Sequence, residues 1–331
     1  MAAQRPEERE AVAGCDIEAV PLRMSDGFVL ACRRWHPREA AASPASAIVV
    51  CLHGLGSHGG CFGRLAPLLC LRGAEVWAPD LRGFGDSVEP GLRRGDVARF
   101  SRVVRDIPDI VAAVRRGAPL FLLAHSLGAA LALPVLADPA AAVRGAMLLA
   151  PAVRPLHRVS PAQLVRGLWD AALAPHRPVE VYATFPGFAE TPEYRLLVAD
   201  PLATTGVASR VGVRLLAVTS PRAVLARCRR VRVPTVILQG DADAQVAPAG
   251  AREAAARLAR AGGALHILPG ADHYLNGVLL PGAPADAPAA PLRRVADLLG
   301  TWMAEHGGAG PPAPHHREPP PSAPGLHRAA R

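Results

Sequence analysis

The sequence predicts an α/β fold: a mostly parallel sheet covered by helices on both faces, with a helical cap as an insertion. Three observations lead there. Ala47–Leu52 and Pro119–Ala124 are apolar runs without alternation, the pattern of strands buried on both faces. Such runs alternate with segments of helical periodicity through short loops, which places successive strands in one parallel sheet. The alternation stops at Pro151 and resumes at Thr235, so residues 152–234 fall outside the sheet pattern.

Taken in order, residues 1–16 are expected to form a loose arm. Val20–Met24 and Phe28–Cys32 read as two strands joined by a hairpin turn at Asp26-Gly27. A loop rich in Ala, Ser and Pro runs from Pro37 to Ser46. The strand Ala47–Leu52 ends in His53-Gly54-Leu55-Gly56. A helix over Gly60–Leu71 leads to a strand at Ala74–Ala78. Val97–Val114 has helical spacing and is expected to break at Pro108. The strand Pro119–Ala124 turns sharply at Ser126 into a helix reaching Ala137, and Arg144–Ala150 is the next strand. Thr235–Gln239 is a strand followed by Gly240-Asp241-Ala242-Asp243. Pro248 opens a helix that Gly262-Gly263 closes. Ala264–Leu268 is the last strand and Pro291–Glu305 the last helix. The expected division is a core of 17–151 and 235–305, a cap of 152–234, and a Pro-rich disordered tail of 306–331.

Half of the 331 residues are hydrophobic, enough for a large core. The net charge is +9, and all 37 basic residues are Arg. They are scattered among Ala, Gly and Pro, as the compositional bias of a GC-rich genome produces. Aromatic residues make up only 4%, which argues against base-stacking platforms, so no nucleic-acid partner is expected. Cys15, Cys32, Cys51, Cys61, Cys70 and Cys228 form no C-x-x-C pair, so no metal site or redox motif is expected. The first ten residues lack an apolar secretory core, and no run of about 18 apolar residues occurs. These points set the expectation of a cytoplasmic protein.

In open α/β sheets, reactive groups collect at the carboxyl ends of the strands. Three such ends carry a matched set. Ala124-x-Ser126-x-Gly128 follows the nucleophile-elbow pattern G-x-S-x-G, with Ala replacing the first Gly. Alone, the segment also fits a Ser N-cap on an ordinary helix. A Ser hydroxyl is a poor nucleophile at neutral pH and needs a His base held by a carboxylate. Asp241 and Asp243 follow one strand; Asp272 and His273 follow the last. The order Ser, Asp, His favours Ser126 as nucleophile, Asp243 as orienting acid with Asp241 its rival, and His273 as base. Asp272 is expected to cap its loop or to face solvent. The side chain of His125 is expected to point away from the site, and His266 to be a core or interface histidine. An oxyanion hole needs two preorganised N–H groups. Leu127, at a helix N-terminus, and Leu55 are the candidates. His53, Gly54, Gly56 and Gly128 are expected to support these loops, the glycines by allowing close backbone approach.

These residues make the chain resemble the α/β-hydrolase superfamily, and within it the monoacylglycerol lipase and lysophospholipase branch of the serine aminopeptidase S33 type. The matching stretches are Ser25-Asp26-Gly27, His53-Gly54-Leu55-Gly56, Asp80-Leu81-Arg82-Gly83-Phe84-Gly85-Asp86-Ser87, the elbow at Ser126, Gln239-Gly240-Asp241-Ala242-Asp243 and Gly270-Ala271-Asp272-His273. In the family pattern the acid ends Gly-x-x-Asp, which falls on Asp243. Asp200-Pro201-Leu202 looks like the family's lid segment. The resemblance implies no metal or organic cofactor. It implies acyl transfer from a carboxylic ester to Ser126, then hydrolysis by water activated through His273. Monoacylglycerol or lysophospholipid is the expected substrate. The alternatives are a small-ester esterase, a proline-iminopeptidase-like peptidase, and a non-catalytic ligand receptor on the same scaffold. Epoxide and haloalkane hydrolysis are disfavoured, because those relatives place Asp at the elbow. The cap residues Leu156, Leu164, Leu168, Trp169, Phe185, Phe188, Leu196 and Leu197 fit either an acyl channel or the cap's own core. Arg154, Arg158, Arg166 and Arg177 fit a solvated surface or a peripheral contact with lipid phosphate.

Overall fold

The computed structural model describes residues 14–38, 45–157, 159–280 and 289–308. Most of the expected arm, Arg158 and all but the first residues of the expected tail lie outside the described residues.

The chain enters through four short strands: β1 (Cys15–Ala19), β2 (Leu22–Arg23), β3 (Val29–Leu30) and β4 (Cys32–Pro37). β2 and β3 pair as the small hairpin expected at Asp26-Gly27, with Gly27 at φ 85°. β1 pairs with β4, which corrects the expectation of a loose arm to residue 16. Cys15 is buried in the same apolar cluster as Trp35, and the five-residue strand is too short to show a clear pattern in sequence.

Then follow β5 (Ala47–Leu52), α1 (Leu65–Cys70), β6 (Ala74–Pro79), α2 (Phe100–Val114), β7 (Leu120–His125), α3 (Leu127–Leu136) and β8 (Gly145–Leu149). The helix expected over Gly60–Leu71 is a short 3-10 turn at Gly59–Phe62 followed by α1. α2 runs unbroken through Pro108, against expectation. Its buried face of Val103, Ile107, Ile110, Val111 and Val114 packs in the core, and that burial outweighs the roughly 3 kcal/mol that an interior proline costs.

The next elements are α4 (Pro161–Leu173), β9 (Pro178–Glu180), α5 (Pro192–Ala199), β10 (Gly206–Ala208), α6 (Ser209–Val218) and α7 (Pro221–Cys228). β9 and β10 form their own two-stranded sheet. α4 begins in a capping box between Ser160 and Gln163, packs on α6, and buries none of its residues fully. α7 packs on α3, with Val224 and Cys228 in the core. β11 (Thr235–Gly240), α8 (Pro248–Leu258), β12 (Ala264–Leu268) and α9 (Ala289–His306) complete the order.

The eight-stranded sheet is ordered β1-β4-β6-β5-β7-β8-β11-β12. It is parallel from β6 to β12 and antiparallel only where β4 joins. Alternate residues of β5 serve opposite faces. Ile48, Val50 and Leu52 join one apolar cluster, while Val49 and Cys51 join the other. Both faces are covered, which is why the sequence of β5 shows no polar alternation. β12 is an edge strand, and His266 on it is exposed rather than a core histidine. The parallel arrangement directs the ends of β5, β7, β11 and β12 to one rim, where the candidate residues lie.

Candidate active site

The turn after β7 sets Ser126 at φ 51° and ψ −113°, a conformation that L-residues rarely adopt. It is held from both sides. The Ser126 N–H donates to the Leu149 carbonyl at 3.0 Å, and the Ala152 N–H donates to the Ser126 carbonyl at 3.2 Å. Small neighbours make room for the turn. Ala124 is fully buried, and a Cβ on Gly128 would come within 2.4 Å of the Leu52 carbonyl oxygen. α3 can therefore start directly against β5 only with Gly at that position.

The strand ends bring three of the expected residues together. His273 Nε2 lies 3.0 Å from Ser126 Oγ, and His273 Nδ1 lies 2.8 Å from Asp243 Oδ2. Asp243 also accepts from the Gln239 amide at 2.9 Å and from the N–H groups of Gln245 and Val246, both at 2.8 Å. Burial pushes the Asp243 carboxyl up, but the facing His273 and these donors outweigh it and hold the group below the usual carboxylate range. An ionised Asp243 fixes the Nδ1–H tautomer of His273 and leaves Nε2 to accept from Ser126. Asp241 is not in this row. It is exposed and accepts from the Gly270 N–H at 2.7 Å. Asp272 caps its own loop, accepting from the N–H groups of Tyr274 and Asn276.

His125 meets its expectation in part. It stays clear of the Ser126 hydroxyl, but its Nε2–H donates to the His273 carbonyl at 3.0 Å, and the two rings lie 4.9 Å apart. Burial, then the facing His273, lowers its pKa to about 3, so it is neutral. His53 is also fully buried and held down to about 4 by desolvation. The Leu81 N–H donates to its Nε2 at 2.9 Å, so the proton is on Nδ1, which donates to the Gly54 carbonyl at 2.8 Å. The ring braces two loops and has no lone pair left for chemistry.

Leu55 and Leu127 both line the cavity above Ser126. Neither N–H has a partner among the described residues. The 54–56 loop lies close to the elbow: a Cβ on Gly54 would come within 2.9 Å of His125 Nδ1 and 3.3 Å of Ser126 Cβ. The cavity has a volume of about 380 Å³ and extends from Ser126 and His273 beneath the cap, past Leu164, Val179, Phe185 and Leu216. The cap residues divide between the two roles left open. Leu164 and Phe185 line the cavity, Phe188 and Leu197 form a small core with Tyr182 and Tyr274, and Leu168 and Trp169 are exposed. Arg154 pairs with Glu253 of α8, whereas Arg166 and Arg177 share Asp170. Tyr182, Gln245 and Tyr274 also line the cavity, a role no local pattern in the sequence announces. No group of three or more His, Cys, Asp or Glu residues able to hold a metal occurs among the described residues.

A parallel sheet with this elbow and these strand ends defines the α/β-hydrolase fold. Solved structures agree. The Paleococcus ferrophilus monoacylglycerol lipase superposes with a TM-score of 0.67 at 21% identity, over 84% of this chain and 99% of that one. A soluble variant of the Saccharomyces cerevisiae monoglyceride lipase, solved with a substrate analogue, gives 0.70 at 20% identity, over 88% and 97%. The serine aminopeptidase S33 family model matches residues 43–277, and the chain belongs to that family. Human monoglyceride lipase is 33% identical over 132 residues, which is 39% of this chain. The match spans 41% of the human protein's length, about two fifths. The monkeypox virus monoglyceride lipase homologue is 26% identical over 223 residues, 65% of this chain and 76% of that one.

Proposed function

We propose that this protein hydrolyses carboxylic esters through an acyl-enzyme, with monoacylglycerol or lysophospholipid as substrate. The observation that carries the reading is the row Ser126–His273–Asp243, hydrogen-bonded at 3.0 and 2.8 Å, at the base of an apolar cavity. In this mechanism Ser126 Oγ attacks the ester carbonyl while its proton passes to His273 Nε2. Asp243 stabilises the imidazolium formed. The N–H groups of Leu55 and Leu127 receive the developing oxyanion, the second aided by the α3 dipole. His273 then protonates the leaving alcohol, and water activated by the same nitrogen releases the acid. No resident cofactor takes part in this scheme. The family name and the monoglyceride lipase relatives support the same reading.

The cavity suits an acyl chain because its cap side is largely aliphatic and aromatic. The outer face of α4 supports a peripheral contact with a lipid surface. Val165, Trp169 and Leu173, at i, i+4 and i+8, are 66%, 67% and 67% exposed on one stripe. No helix among the described residues is long and apolar enough to cross a membrane.

A second reading, removal of an N-terminal residue from a peptide, is favoured by Glu180, an exposed carboxylate that lines the cavity without a salt-bridge partner among the described residues. Fluorophosphonate labelling, p-nitrophenyl ester turnover and aminoacyl p-nitroanilide turnover separate the readings. Ser126→Ala is expected to abolish labelling and to lower kcat for esters by about 10⁴-fold while preserving the fold. Substantial turnover by the purified variant would sink the assignment.

A further inference from the structure

The loop carrying the Leu55 N–H is held from above by the cap. The Tyr182 hydroxyl donates to the Leu55 carbonyl at 2.5 Å. The Thr204 N–H donates to the Gly56 carbonyl at 2.8 Å. His58 Nδ1 accepts from the Gly60 N–H at 3.1 Å, so its Nε2–H donates to Asp200 at 3.0 Å. Asp200 is itself fixed by the Leu202 N–H at 2.8 Å. The His58 and Asp200 side chains are only 7% and 12% exposed, so water competes little for this bond.

These contacts matter because the loop has few side-chain contacts of its own to hold it. It has glycine at 54 and 56, with Gly56 at φ 66°, and its internal Ser57 N–H to Gly54 bond is long at 3.4 Å. An oxyanion donor is effective only when its direction is fixed before the reaction. The Leu55 N–H shares its rigid peptide plane with the Gly54 carbonyl, which His53 Nδ1–H and the Ser57 N–H hold at 2.8 and 3.4 Å. Clamping the Leu55 and Gly56 carbonyls fixes the two planes that follow, so the Leu55 N–H is left to turn only against neighbours that are themselves held. Tyr182 is in turn wedged against Phe188, with ring centroids 5.3 Å apart, in the cluster that holds Tyr274. The Tyr274 hydroxyl accepts from the Gln245 amide at 3.3 Å, and the Gln245 N–H donates to Asp243 at 2.8 Å. One packed unit therefore spans from the acid loop to the oxyanion loop.

We propose that Tyr182 and Asp200 are positioning residues of the cap, which aim the Leu55 N–H at the oxyanion. The proposal rests on the ester-hydrolase reading above. It is tested with Tyr182→Phe, which removes one oxygen, and Asp200→Asn, which keeps the side-chain shape. Ester kinetics use p-nitrophenyl butyrate, with active sites counted by fluorophosphonate titration. Affinity is measured for an alkyl trifluoromethyl ketone. Addition of Ser126 Oγ to its carbonyl carbon moves the hydroxyl proton to His273 and leaves the C=O electron pair as an oxyanion, so its binding reads the hole directly. Expected for each variant is a kcat lower by about 10- to 100-fold, KM within about two-fold, and ketone affinity reduced in step with kcat/KM. A purely structural role lowers Tm and the active-site count but leaves both constants per active site unchanged. If ketone affinity per active site is unchanged in both variants while the wild type is active, positioning by the cap is overturned and the hydrolase reading stands. A wild type that neither hydrolyses the ester nor takes fluorophosphonate overturns both.

Discussion

Ser126 holds its hydroxyl at the rim by a backbone conformation that costs about 1–2 kcal/mol, and the bonds to Leu149 and Ala152 keep it there. Two aspartates on the loop after β11 allow a controlled comparison. Asp243 accepts four hydrogen bonds, one of them from His273, while Asp241 accepts one from a backbone N–H away from that ring. Asp243→Asn is therefore expected to lower kcat by about 10⁴-fold, and Asp241→Asn to leave it near the wild-type value. A larger loss in the Asp241 variant would move the acid by two residues. Gly54 offers a second test at this scale. A methyl group there meets His125 Nδ1 at 2.9 Å, so Gly54→Ala displaces the loop that bears the Leu55 N–H. Steady-state kinetics should show kcat lower by about 10- to 100-fold with KM little changed. A rise in KM at constant kcat would place Gly54 in substrate binding instead.

The cap is two-sided at α4. Leu164 faces the cavity, whereas Val165, Trp169 and Leu173 face outward. One helix thus lines the cavity and carries an exposed apolar stripe on its other side. On the inner side, each added methylene of an acyl ester contributes up to about 0.8 kcal/mol until the cavity is filled. The expectation is a two- to four-fold rise in kcat/KM per methylene along a short series, then a plateau or decline, because one methylene in an apolar pocket contributes only a modest discrimination. A series from acetate to palmitate below micelle formation measures this; a flat profile or a preference for acetate contradicts the lipid-ester reading. On the outer side, Trp169→Ser with Leu173→Ser is expected to reduce sedimentation with phosphatidylcholine vesicles and to leave turnover of p-nitrophenyl butyrate unchanged. Equal vesicle binding by the double variant and the wild type removes α4 as the contact.

For the molecule as a whole, the two fully buried histidines tie stability to pH. His53 titrates at about 4 and His125 at about 3 because burial disfavours their charged forms. Both titrate near 6.5 when unfolded, so below that pH the unfolded chain takes up protons that the folded chain refuses. Stability is therefore full above about pH 6.5 and falls as the pH drops toward 4, by on the order of 2 kcal/mol for each ring by pH 5. Urea midpoints at pH 7.5, 6, 5 and 4.5 check this. His125→Gln keeps a donor for the His273 carbonyl and should flatten the slope. A midpoint constant from pH 7.5 to 5 shows that neither ring is held neutral.

The sequence by itself determined the parallel sheet and the order of residues at its rim. Strands buried on both faces must be apolar throughout, and a tight strand–turn–helix must have small residues around Ser126, so β5, β7 and the elbow could be read locally. Other features depend on contacts between residues far apart in the chain. β1 is a strand because it pairs with β4 and buries Cys15 in the cluster that holds Trp35, and α2 stays whole at Pro108 because its apolar face is buried. The distinction between Asp241 and Asp243 is geometric, two residues apart on one loop. The direction of the His125 ring was set by the His273 carbonyl, 148 residues further along the chain. The clamp of Tyr182, Asp200 and Thr204 on the 54–58 loop joins segments more than a hundred residues apart, through single side chains and backbone groups that have no periodicity. Local pattern encodes burial and turn chemistry, but only the folded chain decides which polar groups meet.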